Sequence, residues 1–205
     1  LQNPSSTDSS GIILNINGSI FIRGELKFYG ATLICKHLNV TGTLNGDDMV
    51  GGVGPGTPST YPGGSSHGGI GGDRVPDLGH HFGSKIIYGL ISRPVLFGSR
   101  NEGNTKKGGG ALRILASSSV VVANDGSITA NGGGGYIDDQ GGASGGSILI
   151  ESPMIKLGGV ISANGGDTAR GGRSGGGGGG RIGIHTHSLV WLGEGGSENS
   201  DSVGS

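Results

Sequence analysis

Glycine is the feature that most limits how this chain can fold. It supplies 50 of the 205 residues, whereas proteins contain about 7% glycine on average. Glycine buries no side chain and costs about 1 kcal/mol per position in a helix. The glycines are clustered, however, and short apolar segments lie between the clusters. This arrangement disfavours helices and favours short β-strands separated by glycine-rich segments.

The first part of the chain contains closely spaced strand-like segments. A polar, Ser-rich lead occupies residues 1–10, and strand coils are predicted over 11–46. Ile20 and Ile22 alternate with Phe21, the period of two that is typical of a strand. Bounded by Gly or Asn, the predicted strands are 11–16, 19–23, 25–29, 32–35 and 37–41.

The remainder divides by composition into three parts. Residues 47–107 are rich in Gly, Pro and Ser and are interpreted as a long insertion, mainly loop, with one apolar stretch at 85–91. Loops of this length are usually functional or disordered. Residues 108–192 contain repeated strand blocks with polyglycine loops, and 193–205 form a polar tail.

An internal repeat is the strongest organising signal. Residues 126–133 (Gly-Ser-Ile-Thr-Ala-Asn-Gly-Gly) recur at 159–166 as Gly-Val-Ile-Ser-Ala-Asn-Gly-Gly. An upstream strand at 110–114 is matched at 146–150 and at 180–184, and a weaker copy of the first block lies at 38–46. A single repeat cannot bury its apolar face, but stacked repeats can, by pairing equivalent strands in parallel.

We therefore predict an all-β chain that forms a parallel β-helix-like solenoid of short strands, with long glycine-rich loops outside the coil. Two conformations suit glycine runs such as 175–180. One is a flexible linker. The other is a packed bundle of extended, polyproline-II-like segments that hydrogen-bond through their backbones.

Charge and cysteine content exclude several classes of function. The formal net charge is −1, which gives no basic field for nucleic acid. No apolar run approaches the roughly 18 residues that span a bilayer. The single cysteine, Cys35, permits no internal disulfide and is interpreted as a buried apolar residue, with an intermolecular disulfide as the alternative. The chain begins at Leu1, which fits either a removed signal peptide or an excerpt.

No catalytic or cofactor-binding constellation is recognisable, and we predict a protein that is not an enzyme and has no cofactor. His185 and His187 could share a metal, because residues i and i+2 of a strand point the same way, but a third ligand is not evident. Exposed histidines are the preferred interpretation, also for the loop pair His80 and His81. Two acidic pairs beside glycines could offer oxygen ligands to calcium but match no calcium-binding spacing: Asp47-Asp48 and Asp138-Asp139. We predict no metal site.

Two glycosylation sequons occur, at Asn17 (Asn-Gly-Ser) and Asn39 (Asn-Val-Thr). Such triplets accept N-linked glycans in secreted proteins, although they also arise by chance. We predict covalent glycans at Asn17 and Asn39, and a secretory origin.

The stretch from His67 to Ile184 resembles a class of glycine-rich secreted proteins with repeated blocks. The blocks that carry the resemblance are 109–114, 126–133, 145–150, 159–166 and 178–182, preceded by Ser-His-Gly-Gly-Ile-Gly-Gly at 66–72 and by a Tyr-Gly element at 88–99 that contains Pro94. The resemblance implies large extracellular, adhesin-like or matrix-like proteins of β-solenoid type. It implies no activity and no catalytic residue.

The expected function is that of a non-catalytic structural or adhesive module of an extracellular surface, matrix or fibre. Its expected partners are other copies of itself or other matrix and surface components, with no nucleic acid and no membrane span in this segment. One alternative is a carbohydrate-active enzyme or carbohydrate-binding module, which as a glycosidase would need two acids about 5–10 Å apart in a groove. Another is an ice- or ligand-binding face, for which the equivalent positions of Thr129 and Ser162 are the only indication.

Overall fold

The structure, a computed structural model, describes residues 11–58, 63–73, 82–101, 106–135, 140–168 and 174–193. These residues form strands and no helix, so the strand-rich character expected from the glycine content is present. The strands are β1 (Ile12–Asn15), β2 (Ser19–Ile22), β3 (Glu25–Lys27), β4 (Gly30–Val40), β5 (Thr43–Asn45), β6 (Ala111–Val122), β7 (Ser127–Thr129), β8 (Ser147–Glu151), β9 (Met154–Leu157), β10 (Val160–Ser162), β11 (Arg181–His185) and β12 (Ser188–Trp191).

The strands are gathered into two parallel sheets. The larger sheet has eight strands, with β1-β4-β6-β8-β11 along its main path. The long strands β4 and β6 continue past that path, where β2, β9 and β12 complete the sheet. The smaller sheet has four strands in the order β10-β7-β5-β3. Every pairing between these named strands is parallel, and an isolated bridge between Val50 and Gly108 is antiparallel.

Equivalent residues of the sequence repeats pair with one another across the strands. Ile128 is the register partner of Ile161 on one side and of Leu44 on the other. Ile150 likewise pairs with Ile114 and with Ile184. The predicted parallel pairing of repeat residues is confirmed, including the weaker copy at 38–46.

One hydrophobic core lies between the two sheets. It is built from the inward-facing side chains of both, among them Leu44 and Ile128 from the smaller sheet and Ile114 and Ile150 from the larger one. Ile114, Ile128 and Ile150 are fully buried. Each such side chain contributes about 1.5–3 kcal/mol through its removal from water.

The predicted solenoid of short strands with external glycine loops is wrong. The described strands form two sheets of unequal size, and the larger one contains strands of 11 and 12 residues. Each of these long strands pairs with two separate shorter strands on the same side. The long glycine-rich segments are not peripheral loops either, because much of their backbone is buried against other glycine segments.

The glycine segments form a backbone-packed body beside the sheets, which we call the glycine body: the described parts of 63–72, 98–110, 132–134, 141–146, 163–166 and 174–180. Its segments are joined by backbone hydrogen bonds, such as Gly72 N to Gly176 O at 2.8 Å and Gly177 N to Gly166 O at 2.9 Å. The flexible-linker interpretation is therefore wrong for the described glycine runs. Close packing is possible because a Cβ atom on Gly175 or Gly177 would overlap a carbonyl oxygen of the neighbouring segment.

The described ranges contain no helix long and apolar enough to cross a membrane.

Candidate functional site

A row of outward-facing side chains crosses the main path of the larger sheet. Its members are direct register partners on five successive strands. Adjacent strands lie about 4.8 Å apart, so the row is about 19 Å long. From β1 to β11 the row reads Asn15, Ile34, Leu115, Glu151 and His185.

Beside this row, turns separate β1 from β2, β8 from β9 and β11 from β12, whereas β4 and β6 continue with an irregularity at the same level. Lys36 on β4 lies opposite Ser117 and Ser118 on β6, where the register shifts by one residue between the two strands. The turn between β8 and β9 contains Ser152 and Pro153, and the turn between β11 and β12 contains Thr186 and His187. The row and these turns together border a groove across the strands, which we call the corner groove.

Two cavities occupy the corner groove and meet at Glu151. One, of about 430 Å³, is lined by residues of β1, the turn after it, β4 and β6, which include Asn15, Asn17 and Lys36. The other, of about 500 Å³, is lined by the end of β11 and by residues of the last two turns, and these include His185 and His187. Ala116 and Glu151 border both cavities. The corner groove therefore extends over all five strands of the main path.

Glu151 is the centre of an ion-pair cluster at this site. Arg113 donates to Oε2 of Glu151 from Nη2 at 2.8 Å and from Nε at 3.3 Å. Arg93 Nη2 and His185 Nδ1 lie 3.8 and 3.5 Å from Oε1. The hydrogen bonds from Arg113 hold the pKa of the Glu151 carboxyl below its usual range. Glu151 is therefore ionised at neutral pH and neutralises only part of the surrounding positive charge.

The two ends of the sheets expose apolar side chains. At the β1 end, Ile12 occupies the same core column as the buried Leu112 and Ile148, yet it is 78% exposed. A cavity of about 540 Å³ opens there, lined by Ile12, Leu14 and Leu26 among others. The β1 end is thus an open end of the core within the described residues.

The opposite end mirrors this exposure. Ile182 on β11 closes the column that begins at Ile12, and it is 42% exposed. Trp191 on β12 is the next residue beyond Leu157 in its own column, and it is 70% exposed. Among the described residues, both ends of the larger sheet therefore present strand edges with apolar side chains and no further pairing partner.

A buried polar cluster lies where the glycine body meets the segment 82–101. His67 is fully buried, and its Nδ1 donates to the carbonyl of Gly145 at 2.8 Å. Its ring stacks on Tyr88 with centroids 4.5 Å apart. Burial, together with the nearby charge of Arg181, lowers the pKa of His67 to about 4. The Tyr88 hydroxyl donates to Phe97 O at 2.7 Å, and burial raises its pKa to about 12.

The two sequons lie in different surroundings. Asn17 is exposed in the turn between β1 and β2, and a glycan on it would extend from the mouth of the 430 Å³ cavity. Asn39 lies within β4, flanked in register by Phe21 and Val121, and its Oδ1 is buried without a partner among the described residues. Glycosylation of both positions stays a prediction.

The carboxylates considered for calcium bind the chain's own donors. Asp47 accepts hydrogen bonds from N and Nδ2 of Asn131 at 2.7 and 3.1 Å, and Asp48 accepts one from the backbone N–H of Lys107 at 2.6 Å. Within the described ranges, no three His, Cys, Asp or Glu side chains are grouped to hold a metal ion. The pairs His80-His81 and Asp138-Asp139 lie outside the described residues.

Other sequence interpretations have clear outcomes. Cys35 is buried in the core, as the apolar interpretation predicted, and burial raises the pKa of its thiol. Thr129 and Ser162 are register partners, but Asn45 and Lys27 continue their row, so the row is not a repeated threonine face.

Sequence reasoning missed the corner groove and its central residue, Glu151. The repeat alignment contained a signal, because Leu115, Glu151 and His185 occupy equivalent positions and two of them depart from the apolar pattern. The polar breaks at 117–119, 152–153 and 186–187 are aligned in the same way. The contribution of Arg113 could not be read from the alignment. Its register partner on the neighbouring strand β8 is Leu149, so Arg113 reaches Glu151 diagonally, two residues further along β8.

No protein-family model, no curated protein and no solved structure matches this chain.

Proposed function

We propose that this chain is a non-catalytic structural or adhesive module of an extracellular surface, matrix or fibre, and that copies associate end to end. The observation that supports this proposal is that both ends of the larger sheet are open in the part of the chain that the structure describes. β1 and β11 are the two edges of one parallel sheet, and the exposed Ile12 and Ile182 are the terminal members of one core column.

End-to-end pairing would continue contacts that already exist inside the molecule. A strand edge presents unpaired N–H and C=O groups, which are a template for another strand. If β11 of one copy pairs with β1 of the next, Ile182 covers Ile12, as Ile148 already covers Leu112. The contact joins different surfaces of the two copies, and such heterologous contacts give open filaments unless the rotation closes a ring.

The sequence repeats and the two sequons support an extracellular location. Each glycine-rich block resembles those of secreted surface and matrix proteins, and the exposure of Asn17 is compatible with a glycan. No comparable observation favours the enzymatic alternative. Glu151 is the only carboxylate that the described residues bring to the two cavities of the corner groove, whereas a glycosidase requires a pair of acids.

The first prediction concerns assembly. Ile12→Lys or Ile182→Lys should abolish self-association, because each substitution places an uncompensated charge at the contact between copies. Sedimentation velocity and electron microscopy over a wide concentration range measure the result. The matched control is Ile91→Lys, which makes the same change at a side chain that is 80% exposed and belongs to neither sheet edge; it should assemble like the wild type.

A mixture of the two end variants gives a sharper test. Each variant keeps one intact end, so the mixture should form dimers and nothing larger, whereas each variant alone stays monomeric. A wild-type protein that is monomeric at all concentrations, or an Ile91→Lys variant that loses assembly equally, would contradict end-to-end association through these edges.

A further inference from the structure

The corner groove has the shape of a site for an extended polymer rather than for a compact ligand. It crosses five strands over about 19 Å, and its two cavities meet at Glu151. Exposed side chains occur at both ends of the groove, Asn15 and Asn17 at one end and His185 and His187 at the other, and the middle of the row is half-buried. A chain-like ligand could therefore lie along the groove and extend past both ends.

The groove carries an excess of positive charge in a chain whose net charge is −1. Glu151 is its only acid among the described residues, and Arg113 already satisfies one of its oxygens. Arg93 is more than half exposed and lies 3.8 Å from the other oxygen. Lys36 is exposed and forms no ion pair with any described residue. These cations are available to form ion pairs with the anionic groups of an acidic ligand.

Polar side chains that form no side-chain hydrogen bonds with other described residues line the same groove. Asn15, Asn17 and Ser117 make no side-chain hydrogen bond to other described residues, and each is exposed. Amides and hydroxyls of this kind can bind the hydroxyl groups of a ligand. Together with the cations, they suit a polymer that carries both hydroxyl and acidic groups.

The floor of the groove disfavours other polymers. A bound peptide usually adds a strand to a free sheet edge, but the interior strands β4, β6 and β8 are paired on both sides. Single-stranded nucleic acid uses aromatic side chains as stacking platforms, and neither cavity has a Phe, Tyr or Trp among its described lining residues. Without a Phe, Tyr or Trp platform among the described lining residues, recognition of a sugar relies mainly on charge and hydrogen bonds.

We propose that the corner groove binds an acidic polysaccharide, with Lys36 and Arg93 contacting its anionic groups and with Glu151 limiting the affinity. This site is separate from the sheet ends. It would give the assembled module a means of attachment to a charged glycan matrix.

The test measures binding of polygalacturonate by isothermal titration calorimetry. The protein is enzymatically deglycosylated and carries Ile12→Lys, so that neither a glycan on Asn17 nor self-association affects the result. Lys36→Gln should weaken binding about fivefold, and Glu151→Gln should strengthen it by a similar factor, as expected for the gain or loss of one partly exposed charge contact. Binding should also weaken as salt is added.

Lys27→Gln is the matched control, because Lys27 is an exposed lysine on the smaller sheet; it should leave the affinity unchanged. Thermal unfolding of each variant verifies the fold. If Glu151→Gln does not fold stably, the test rests on Lys36→Gln, which changes an exposed side chain. The proposal is overturned if dextran binds as tightly as polygalacturonate, if polyglutamate binds more tightly, or if Lys27→Gln weakens binding as much as Lys36→Gln.

Discussion

At the scale of single residues, burial and hydrogen bonding determine the protonation state of His67. Its Nδ1 is committed to Gly145 O, and its Nε2 is buried without a partner among the described residues. A protonated imidazole here would place a buried positive charge near the half-buried Arg181, which already donates from Nε to Tyr88 O at 3.2 Å. Neutral His67 is therefore part of the folded state.

The buried environment of His67 predicts that the protein loses stability as the pH falls. The unfolded chain protonates His67 below about pH 6.5, whereas in the folded protein its pKa is lowered to about 4. Between these values the unfolded state binds more protons, so the free energy of unfolding should fall as the pH falls from 6.5 to 4. The loss should be on the order of 3 kcal/mol.

Denaturant unfolding at a series of pH values measures the loss, and NMR titration of the imidazole in the native protein tests its cause without any substitution. A folded protein in which His67 takes up a proton near pH 6.5 would contradict this account of the buried cluster.

At the scale of elements, the glycine segments are held by close backbone approach rather than by side-chain packing. The run 174–180 contacts several segments at once: Gly178 N donates to Ser65 O at 2.7 Å, and Gly180 N donates to Ala163 O at 2.6 Å. Successive glycines in this run are not equivalent. A Cβ atom on Gly177 would overlap the carbonyl oxygen of Ala143, whereas the nearest atom to a Cβ on Gly179 is Ala163 O at 4.0 Å.

The two positions therefore predict losses of different size for the same substitution. Gly177→Ala should lower the free energy of unfolding by about 1–3 kcal/mol or more, because the neighbouring backbone must move. Gly179→Ala should change it by less than about 1 kcal/mol, since it has space and mainly reduces the entropy of the unfolded chain. Chemical denaturation measures both variants. Because the two glycines lie in one run, the effect on the unfolded chain is matched, and equal losses would refute close packing at Gly177.

At the scale of the whole molecule, the sheets and the glycine body are joined by hydrogen bonds where the strands end. Gly110 N donates to Gly46 O at 2.7 Å, and Gly146 N donates to Ala130 O at 2.7 Å. In each case a residue just before a strand of the larger sheet binds one just after a strand of the smaller sheet. The glycine body is therefore attached to both sheets by backbone hydrogen bonds at the strand ends, and it is a continuation of the folded core.

This connection predicts that the glycine body and the core unfold together. The amides of Gly72, Gly142 and Gly177, which donate to other glycine segments, should exchange with solvent deuterium as slowly as amides of the core strands. The amide of Gly52 donates no backbone hydrogen bond to a described residue and should exchange fast. Hydrogen exchange followed by NMR measures these rates. Fast exchange at all three glycines would mean that the glycine body opens independently of the sheets.

The apolar repeat made much of the sheet structure predictable. The strand pattern over 11–46 locates β1, β2 and β3 to within about two residues, and the repeat alignment gives the register of Ile128 with Ile161. This succeeds because a parallel ladder places equivalent apolar residues beside one another. The separate predicted strands at 32–35 and 37–41 are one continuous strand, β4, since a local register shift near Lys36 lets the pairing continue.

The sequence by itself therefore determined that the chain forms strands, where they lie, and which repeat residues pair, because side chains encode these features locally. Only the tertiary structure decided that the strands form two sheets around one core and that the glycine runs pack together, because glycine has no side chain that could reveal its neighbour. The same holds for the corner groove. Lys36, Arg113 and Glu151 lie on different strands, and only folding brings their charges to one surface.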